Sequence, residues 1–377
     1  MYLVEVRRAD HRAVRDFLKL PFRLYHDVPQ WVPPLMPGER ARFRPDFPFY
    51  RHSEAAFYLV RDESGQAVGR VAVMDHRPFN EYHQRQDALL YLYEAINDDG
   101  VAQLLFEAAE AWARARGLTR LVGPKGFLIG DSLGLLVEGF EHRPAVGMNY
   151  NPAYYVRQWE EIGAMTKEVD YLSAYIGREG YTYPQRLRDM ADRIRQRRGF
   201  RVPVFRSRRE LMALVPQLRR TYNDAFANLW SYQPLTDDEM GAILDRMLLV
   251  AEPHMLKLIF KDDEVIGFTF AYPDISAAIQ RQKGELWPFG WIDFLLERRR
   301  TKWININGNA VHPKYQGLGG NAVLYDEMAR TLIDSTTYQH ADLVQVQESN
   351  VTMLADMSKI LPLNFYKRHR VYQKVLT

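Results

Sequence analysis

The sequence predicts an α/β (α+β) protein of two tandem domains, each a mixed, mostly antiparallel central sheet flanked by helices. Three observations lead there. The 377 residues exceed one typical domain. Strand-like and helix-like hydrophobic patterns alternate along the chain. The element order of the first half, strand, helices, hairpin, strand, helix, strand, helix, strand, begins again near residue 201.

The first half opens with a strand over Leu3 to Val6, then a helix over His11 to Tyr25 with Val14, Phe17, Leu18 and Phe22 on one face. Pro29 to Leu35 is too proline-rich for a helix. Ala55 to Arg61 and Ala67 to Asp75 form a hairpin around Glu63-Ser64-Gly65, and Ala88 to Glu94 is the next strand. Val101 to Arg116 is a patterned helix ended by Gly117, Arg120 to Gly123 a strand, and Asp170 to Ile176 the closing strand. Gly180 to Arg201 reads as a charged linker helix whose Arg193, Arg195, Arg197 and Arg198 make a solvated face rather than a nucleic-acid patch.

The second half repeats the order. Arg201 to Phe205 is a strand, and Arg209 to Phe226 and Asp237 to Leu249 are helices. Leu256 to Lys261 and Val265 to Tyr272 pair around Asp262-Asp263. Trp303 to Val311 is a strand, Gly320 to Asp334 a helix, Asp342 to Gln347 a strand, Val351 to Ile360 a helix and Arg370 to Leu376 the last strand. Each half has an Asn before its last helix, Asn151 and Asn350. The expected division is residues 1–180, a linker at 181–200, and 201–377.

Composition excludes several classes. A net charge of +3 gives no strong nucleic-acid field. The chain has no cysteine, which rules out disulfides, thiolate metal sites and a cysteine nucleophile and fits a cytoplasmic protein. Met1 to Arg8 is a short strand meeting charge rather than a signal peptide. No apolar run approaches the roughly 18 to 20 residues of a membrane span. No His, Asp or Glu spacing suggests a metal, and no Gly-x-Ser-x-Gly elbow suggests a serine hydrolase.

The most telling stretch is Val311-His312-Pro313-Lys314-Tyr315-Gln316-Gly317-Leu318-Gly319-Gly320-Asn321. It joins a strand to a helix through a Gly-rich turn. Such a turn aims backbone N–H groups and the positive end of a helix dipole at one spot, which suits a pyrophosphate. The plainer alternative is an ordinary turn before a helix. In the first half the corresponding segment is Glu94 to Gly100, whose Glu94, Asp98 and Asp99 would repel such an anion.

Tyr315-Gln316-Gly317-Leu318-Gly319 after a Val-x-Pro step resembles the GNAT acyltransferase superfamily, with Asn321 departing from the usual Gly or Ala. The resemblance implies that the amides of Gln316, Gly317, Leu318, Gly319 and Gly320 bind the pyrophosphate of acetyl-CoA or a longer acyl-CoA. It also implies that the preceding strand holds the pantetheine arm, that Asn350 contacts it from the far side, and that a backbone N–H near Val311 polarises the thioester. Many GNAT proteins have a general-acid Tyr seven residues after that Asn; here the position is Met357, so the role passes to Tyr325, Tyr366 or water. Nearly the full length is also similar to the double-GNAT group that includes bacterial ceramide synthase. The matching stretches include Trp31-Val32-Pro33-Pro34-Leu35, Tyr150-Asn151-Pro152, Leu286-Trp287-Pro288-Phe289-Gly290 and Tyr366 to Tyr372. That similarity implies N-acylation of an amine, with a long-chain base as one acceptor.

The remaining candidates come from placement. Asn305, Asn307 and Asn309 alternate on one strand and are expected to share a face, as a floor for pantetheine or acceptor or as a satisfied internal network. Glu348, at a strand's C-terminal end, is the candidate base, against a surface carboxylate; His312 is expected to point outward. Tyr272 and Asp274 follow the hairpin and are cleft candidates. Leu286 to Leu296, with Trp287 at its tip, is apolar and runs into Glu297 to Lys302. It suits either a membrane surface at the inner side of the membrane or a lid helix.

The expectation is a monomeric acyl-CoA-dependent N-acyltransferase acting on a small-molecule or lipid-like amine without a covalent intermediate, its acceptor between the halves. The alternatives are a non-catalytic CoA- or lipid-binding regulator and a transferase using charged tRNA, which the coenzyme loop disfavours.

Overall fold

In the computed structural model, residues 1–179, 182–334, 337–360 and 363–376 are described. The elements run β1 (Tyr2–Glu5), α1 (His11–Leu24), α2 (Met36–Ala41), β2 (Glu54–Arg61), β3 (Ala67–Asp75), α3 (Arg77–His83), β4 (Asp87–Ala95), α4 (Asp99–Arg114), β5 (Arg120–Gly123), β6 (Leu135–Glu138), α5 (Tyr154–Arg157), and β7 (Thr166–Gly177). They continue with α6 (Gln185–Arg198), β8 (Phe200–Arg201), α7 (Arg208–Met212), α8 (Val215–Phe226), α9 (Asp237–Met247), β9 (Leu256–Lys261), β10 (Glu264–Pro273), α10 (Ser276–Arg281), α11 (Gly290–Arg300), β11 (Trp303–Val311), α12 (Gly320–Asp334), β12 (His340–Gln347), α13 (Val351–Ile360) and β13 (Asn364–Val375). The predicted class, a mixed and mostly antiparallel sheet flanked by helices, is the observed one.

Two compact units form. Unit 1 takes residues 1–172, 276–294 and 367–377; unit 2 takes 173–275 and 295–366. The chain thus changes unit four times, inside β7, before α10, inside α11 and inside β13, and the segment carrying Trp287 belongs with unit 1.

In unit 1 the strand order is β1-β2-β3-β4-β5-β13, with β6 on β13. All pairs are antiparallel except β4–β5, which pair in parallel over Asp87–Leu89 and Arg120–Val122. The Asp98 carboxylate accepts the Val101 N–H at 3.1 Å and starts α4. The helix then buries Val101, Leu105, Phe106, Ala109, Trp112 and Ala113 against the sheet, with Tyr155, Trp159 and Tyr372 completing the core. Each large apolar side chain so buried contributes roughly 1.5–3 kcal/mol.

In unit 2 the order is β8-β9-β10-β11-β12, with β7 beside β12. β8–β9, β9–β10 and β10–β11 are antiparallel, whereas β11–β12 is parallel over Trp303–Ile306 and His340–Leu343. α12 packs Val323, Leu324 and Met328 onto Ile259, Ile266, Val311, Ala271 and Ile304. The helix expected as a linker, α6, is docked along α12. Arg195 donates to Asp326 at 2.8 Å and Glu327 at 2.7 Å, Arg330 reaches Asp192 at 3.2 Å, and Ile194 packs into the α12 core.

Several local expectations change for identifiable reasons. The strand over Arg201 to Phe205 shrinks to two residues because Pro203 has no N–H for the ladder. The helix over Arg209 to Phe226 breaks at Leu214, where Pro216 sits in the first turn of α8. The start expected at Gly180 for the charged helix lies outside the described residues, and α6 begins after Pro184. Among the described residues no helix is long and apolar enough to cross a membrane.

Candidate active site

β11 and β12 part after Ile306 and Leu343, where their register ends. Among the described residues β11 pairs from there with β10 alone, and its other edge opens into a gap. The strand ends with the His312 N–H bonded to the Ile266 carbonyl at 2.8 Å on the β10 side. Alternation then turns the Val311 and Asn309 backbone groups toward the gap. The Val311 carbonyl accepts from Gln316 Nε2 at 3.1 Å, which fits that direction. Gln316 therefore holds the turn against the end of the strand.

The turn leads straight into α12. Gly317 and Gly319 have φ of +74° and +88°, conformations that side chains with a Cβ rarely adopt. A Cβ on Gly317 would meet nothing within 4 Å, so this side of the turn is an open mouth. A Cβ on Gly319 would lie 2.6 Å from Ile194 of α6, so this glycine also permits helix packing. Val323 N–H bonds the Gly319 carbonyl at 3.2 Å, while the N–H groups of Gly320, Asn321 and Ala322 open the helix with no carbonyl partner inside it. A pocket at this end is lined by Val311, Gln316, Gly317, Gly319, Gly320, Asn321 and Tyr325, with Arg186, Leu187 and Met190 from α6 across from them. Leu318 packs with Tyr315 against the α12 core. Sequence reasoning missed Arg186; its only signal was a basic residue at the start of a helix read as solvated.

A bulge at Gly308, φ +65°, breaks the expected common face of the three asparagines. Register pairs Asn305 with Tyr272 and Asn307 with Phe270, but Asn309 with Thr269. Thr269 and Phe270 are consecutive, so Asn309 falls on the opposite face from Asn305 and Asn307. On the α12 face Asn309 Nδ2 donates to Asn321 Oδ1 at 3.2 Å and to the Tyr325 hydroxyl at 3.4 Å. Its Oδ1 is buried without a partner. A buried acceptor of this kind fits an amide N–H donor such as those of a pantetheine arm.

Tyr325 and Asn309 also line the start of a second cavity of about 880 Å³ of empty space, mouth included. Its walls are Ile304, Ile306, Leu343, Met328, Leu332, Met353 and Met357, ending near Tyr338 and Tyr183. Met357, at the position of the missing Tyr, is buried in this apolar wall. Apolar walls with a few polar groups at one end are the usual lining of a ligand site.

The other face of the sheet is polar and buried. Asn305 is fully buried, and neither atom of its side-chain amide has a partner. Beside it stand Asp342, in register with Asn305, and Tyr272, hydrogen-bonded to Asn307. Tyr366 bonds Asp342, and Asp274 is close enough to both tyrosines to act on them electrostatically. Burial above all, then the Asp342 carboxylate, pushes the Tyr366 hydroxyl well above its ordinary pKa; burial does the same to Tyr272. Both hydroxyls thus stay protonated and act as donors. Asp342 was missed in the sequence; a lone carboxylate in the apolar strand Ala341 to Val346 was its signal.

The other expected residues lie on the turns and caps that adjoin these elements. Glu348 sits in the turn after β12, half-buried. Asn350 caps α13, its Oδ1 accepting the Met353 N–H at 3.3 Å. His312 faces Asp224, Nε2 to Oδ2 3.0 Å, while its Nδ1 accepts the Lys314 N–H. Trp287 lies in unit 1 and is 79% exposed. Among the described residues no His, Asp and Glu side chains gather as ligands for a metal ion.

Comparison with known proteins gives this geometry a family. The backbone superposes on a tandem GNAT protein from the clavulanic acid biosynthesis pathway with a TM-score of 0.57, covering 100% of this chain and 98% of that one at 11% identity. A GCN5-related N-acetyltransferase from Sphaerobacter thermophilus gives 0.52, covering 99% and 96% at 13% identity. No family model matches the sequence. Protein YghO of Escherichia coli is 26% identical over 96% of this chain and 92% of its own length. Bacterial ceramide synthase of Caulobacter vibrioides is 31% identical over 96% of this chain and 95% of its own. With that identity along nearly all of both chains and the tandem GNAT fold, the protein belongs to the family of bacterial ceramide synthase and is a GNAT-type acyltransferase.

Proposed function

We propose that the protein transfers an acyl group from acyl-CoA directly to the nitrogen of a long-chain, lipid-like amine. The observation that carries this is the open gap between β11 and β12, with the first N–H groups of α12 at its glycine turn and an apolar cavity continuing from Tyr325. Unit 2, α6 included, carries coenzyme binding. The relative named bacterial ceramide synthase points the acceptor toward a long-chain base.

The division of labour follows from chemistry. The Gly320, Asn321 and Ala322 N–H groups and Arg186 meet the pyrophosphate, and Asn309 Oδ1 takes an amide of the arm. Bound acyl-CoA supplies an activated thioester whose thiolate, of pKa about 8.5, leaves without a strong acid. The Val311 N–H, turned into the gap, is placed to polarise a carbonyl there. The cavity of Ile306, Met353 and Met357 holds the acyl chain. Each buried methylene contributes about 0.8 kcal/mol, so two already give a tenfold preference over acetyl. Asp342, Asp274, Tyr366 and Tyr272 hold the acceptor's polar head, and Glu348 takes the amine proton.

Calorimetry with CoA, acetyl-CoA and palmitoyl-CoA tests the coenzyme half. At least tenfold tighter binding of palmitoyl-CoA than of acetyl-CoA is expected; no binding of any of the three overturns the reading. Thiol release with a long-chain amine tests the rest. Asp342→Asn should raise KM for the amine, whereas Glu348→Gln should lower kcat by about 10² with the loss greatest near neutral pH.

A further inference from the structure

Helix α11 exposes large apolar side chains to solvent. Its outward stripe is Trp291, Ile292, Leu295 and Leu296, spaced to lie on one side of the helix and 40–46% exposed. The turn before it presents Trp287 at 79% and Phe289 at 69% exposure. On the opposite side Asp293 accepts from Arg281 at 2.7 and 3.0 Å and from Gln282 at 3.0 Å, and Phe294 and Glu297 are half-buried. The Trp291 indole N–H is already spent on the Pro288 carbonyl at 3.2 Å, which leaves its ring without a polar demand.

The segment is also firmly based rather than loose. Arg40 bonds Glu285 just before the turn, and Asp293 is tied down as above. At roughly 200 Å² per full ring side chain, Trp287, Phe289 and Trp291 together expose about 390 Å². The aliphatic stripe extends this beyond the few hundred Å² of apolar patch that monomeric surfaces carry without a partner. Exposed Arg299, Arg300 and Lys302 follow along the same helix and its end.

We infer that this face docks on the surface of a membrane containing anionic lipid, its rings entering the head-group boundary and its Arg and Lys meeting lipid phosphates. The charge pattern selects that occupant. A bilayer gives apolar depth to the rings and anionic partners to the cations at once. A second copy of the same face would set its own cations against like charges in one desolvated contact, which is unfavourable. The inference stands apart from the acyl-transfer reading, because docking is measured without coenzyme or amine.

The test is co-sedimentation of the full chain with vesicles of equimolar phosphatidylglycerol and phosphatidylcholine, and with phosphatidylcholine alone. The wild type should pellet with the first at least tenfold more strongly than with the second, and salt should weaken it. The triple variant Trp287→Ser, Phe289→Ser, Trp291→Ser should lose tenfold or more on the anionic vesicles while its thermal shift with CoA matches the wild type. Arg299→Glu with Arg300→Glu changes only surface charge and should lose a similar factor, which keeps the test decisive should the triple variant fold poorly. Failure to bind either vesicle, or undiminished binding by both variants, overturns the inference. So does a dimer in light scattering that the triple variant dissolves, which would assign the face to a second copy.

Discussion

The two units contain the same break in the sheet and treat it in opposite ways. In each, a parallel pair of strands holds for three or four residues and then separates, β4 from β5 and β11 from β12. In unit 1 the break is filled by the protein itself. The Tyr155 hydroxyl takes the Ala95 N–H at 2.8 Å and donates to Glu94 at 2.8 Å; Tyr154 donates to the Ala95 carbonyl, and Gln158 to that of Ile96. Trp159 seals the space beneath. In unit 2 the same edge ends in a glycine turn, and a cavity remains. One architecture therefore gives either a closed structural joint or an open turn and cavity, proposed above as the coenzyme site, and the residues after the strand decide which.

The acidic segment of unit 1 sharpens this. Its carboxylates were expected to repel an anion, but each is engaged in structure. Glu94 is enclosed by Tyr25, Tyr155 and Arg70, Asp98 caps α4, and Asp99 pairs with Arg157 at 2.6 Å. The joint has become load-carrying for the fold. The largest effect should follow from opening it: Trp159→Ala leaves a cavity in the core and should lower unfolding stability by about 3–5 kcal/mol, while affinity for CoA, measured below the new Tm, stays within twofold. A parallel loss of CoA affinity would mean that the closed joint also carries a coenzyme function.

The converse change writes the acid of the first half into the second. Gly317→Asp puts a carboxylate at the open mouth of the turn, in a left-handed conformation that Asp tolerates better than most residues. Stability should fall by only about 1 kcal/mol, whereas the Kd for CoA should rise about 100-fold, or 2.7 kcal/mol. Gly317→Asn provides the uncharged control and should keep most of the affinity. If the two variants weaken binding equally, charge is not what separates the two turns.

Acid should also distinguish the units. Both buried histidines, His76 and His369, lie in unit 1. Burial, helped for His76 by nearby Lys125, lowers them to about 3 and about 4. His369 Nε2 donates to the Asn149 carbonyl as the neutral ring. The folded state keeps both rings neutral, while the unfolded chain takes up protons below about 6.5. Stability is therefore complete above that pH and falls as pH drops toward the folded values, by roughly 2 kcal/mol per histidine at pH 5. Hydrogen exchange at pH 5, corrected for intrinsic rates, should show unit 1 peptides opening before those of α12. Uniform loss across both units would remove the distinction.

Much of this contrast was legible in the chain, and the reasons for the rest are physical. Periodicity alone gives the strands and long helices of both halves, because one face of each is buried. The turn from Gln316 to Gly320 announces itself by residues that only a close backbone approach requires. The side of the sheet on which Asn309 lies was not readable: one extra residue at Gly308 reverses every side chain beyond it, and an Asn-Gly-Asn run is equally compatible with a regular strand. The filling of the first break was hidden for another reason. Tyr154, Tyr155 and Gln158 are some 60 residues from the backbone groups they satisfy. Arg193, Arg197 and Arg198 of α6 are exposed as expected, but Arg195 is not, and the carboxylates that dock it, Asp326 and Glu327, come more than 130 residues later.

The smallest expected effect concerns the basic residue that each break has nearby. In unit 1 Arg157 neutralises Asp99 at the start of α4, so its charge is consumed internally. In unit 2 Arg186 lines the loop pocket from α6, with no carboxylate among the residues that share that pocket. Arg186 is exposed, so its attraction to a phosphate is screened by water and salt and is worth about one order of magnitude at most. Arg186→Ala should raise the Kd for CoA about 5- to 10-fold and flatten its dependence on salt, without moving the Tm. Comparing CoA with dephospho-CoA locates the contact. If the variant loses the preference for CoA, Arg186 meets the 3′-phosphate; if both ligands weaken equally, it meets the pyrophosphate beside the glycine turn. Arg157→Ala, measured alongside, should leave binding unchanged, because its partner is a side chain of its own unit. If Arg186→Ala leaves both ligands unaffected, coenzyme recognition rests on the backbone of the turn and on α12 alone.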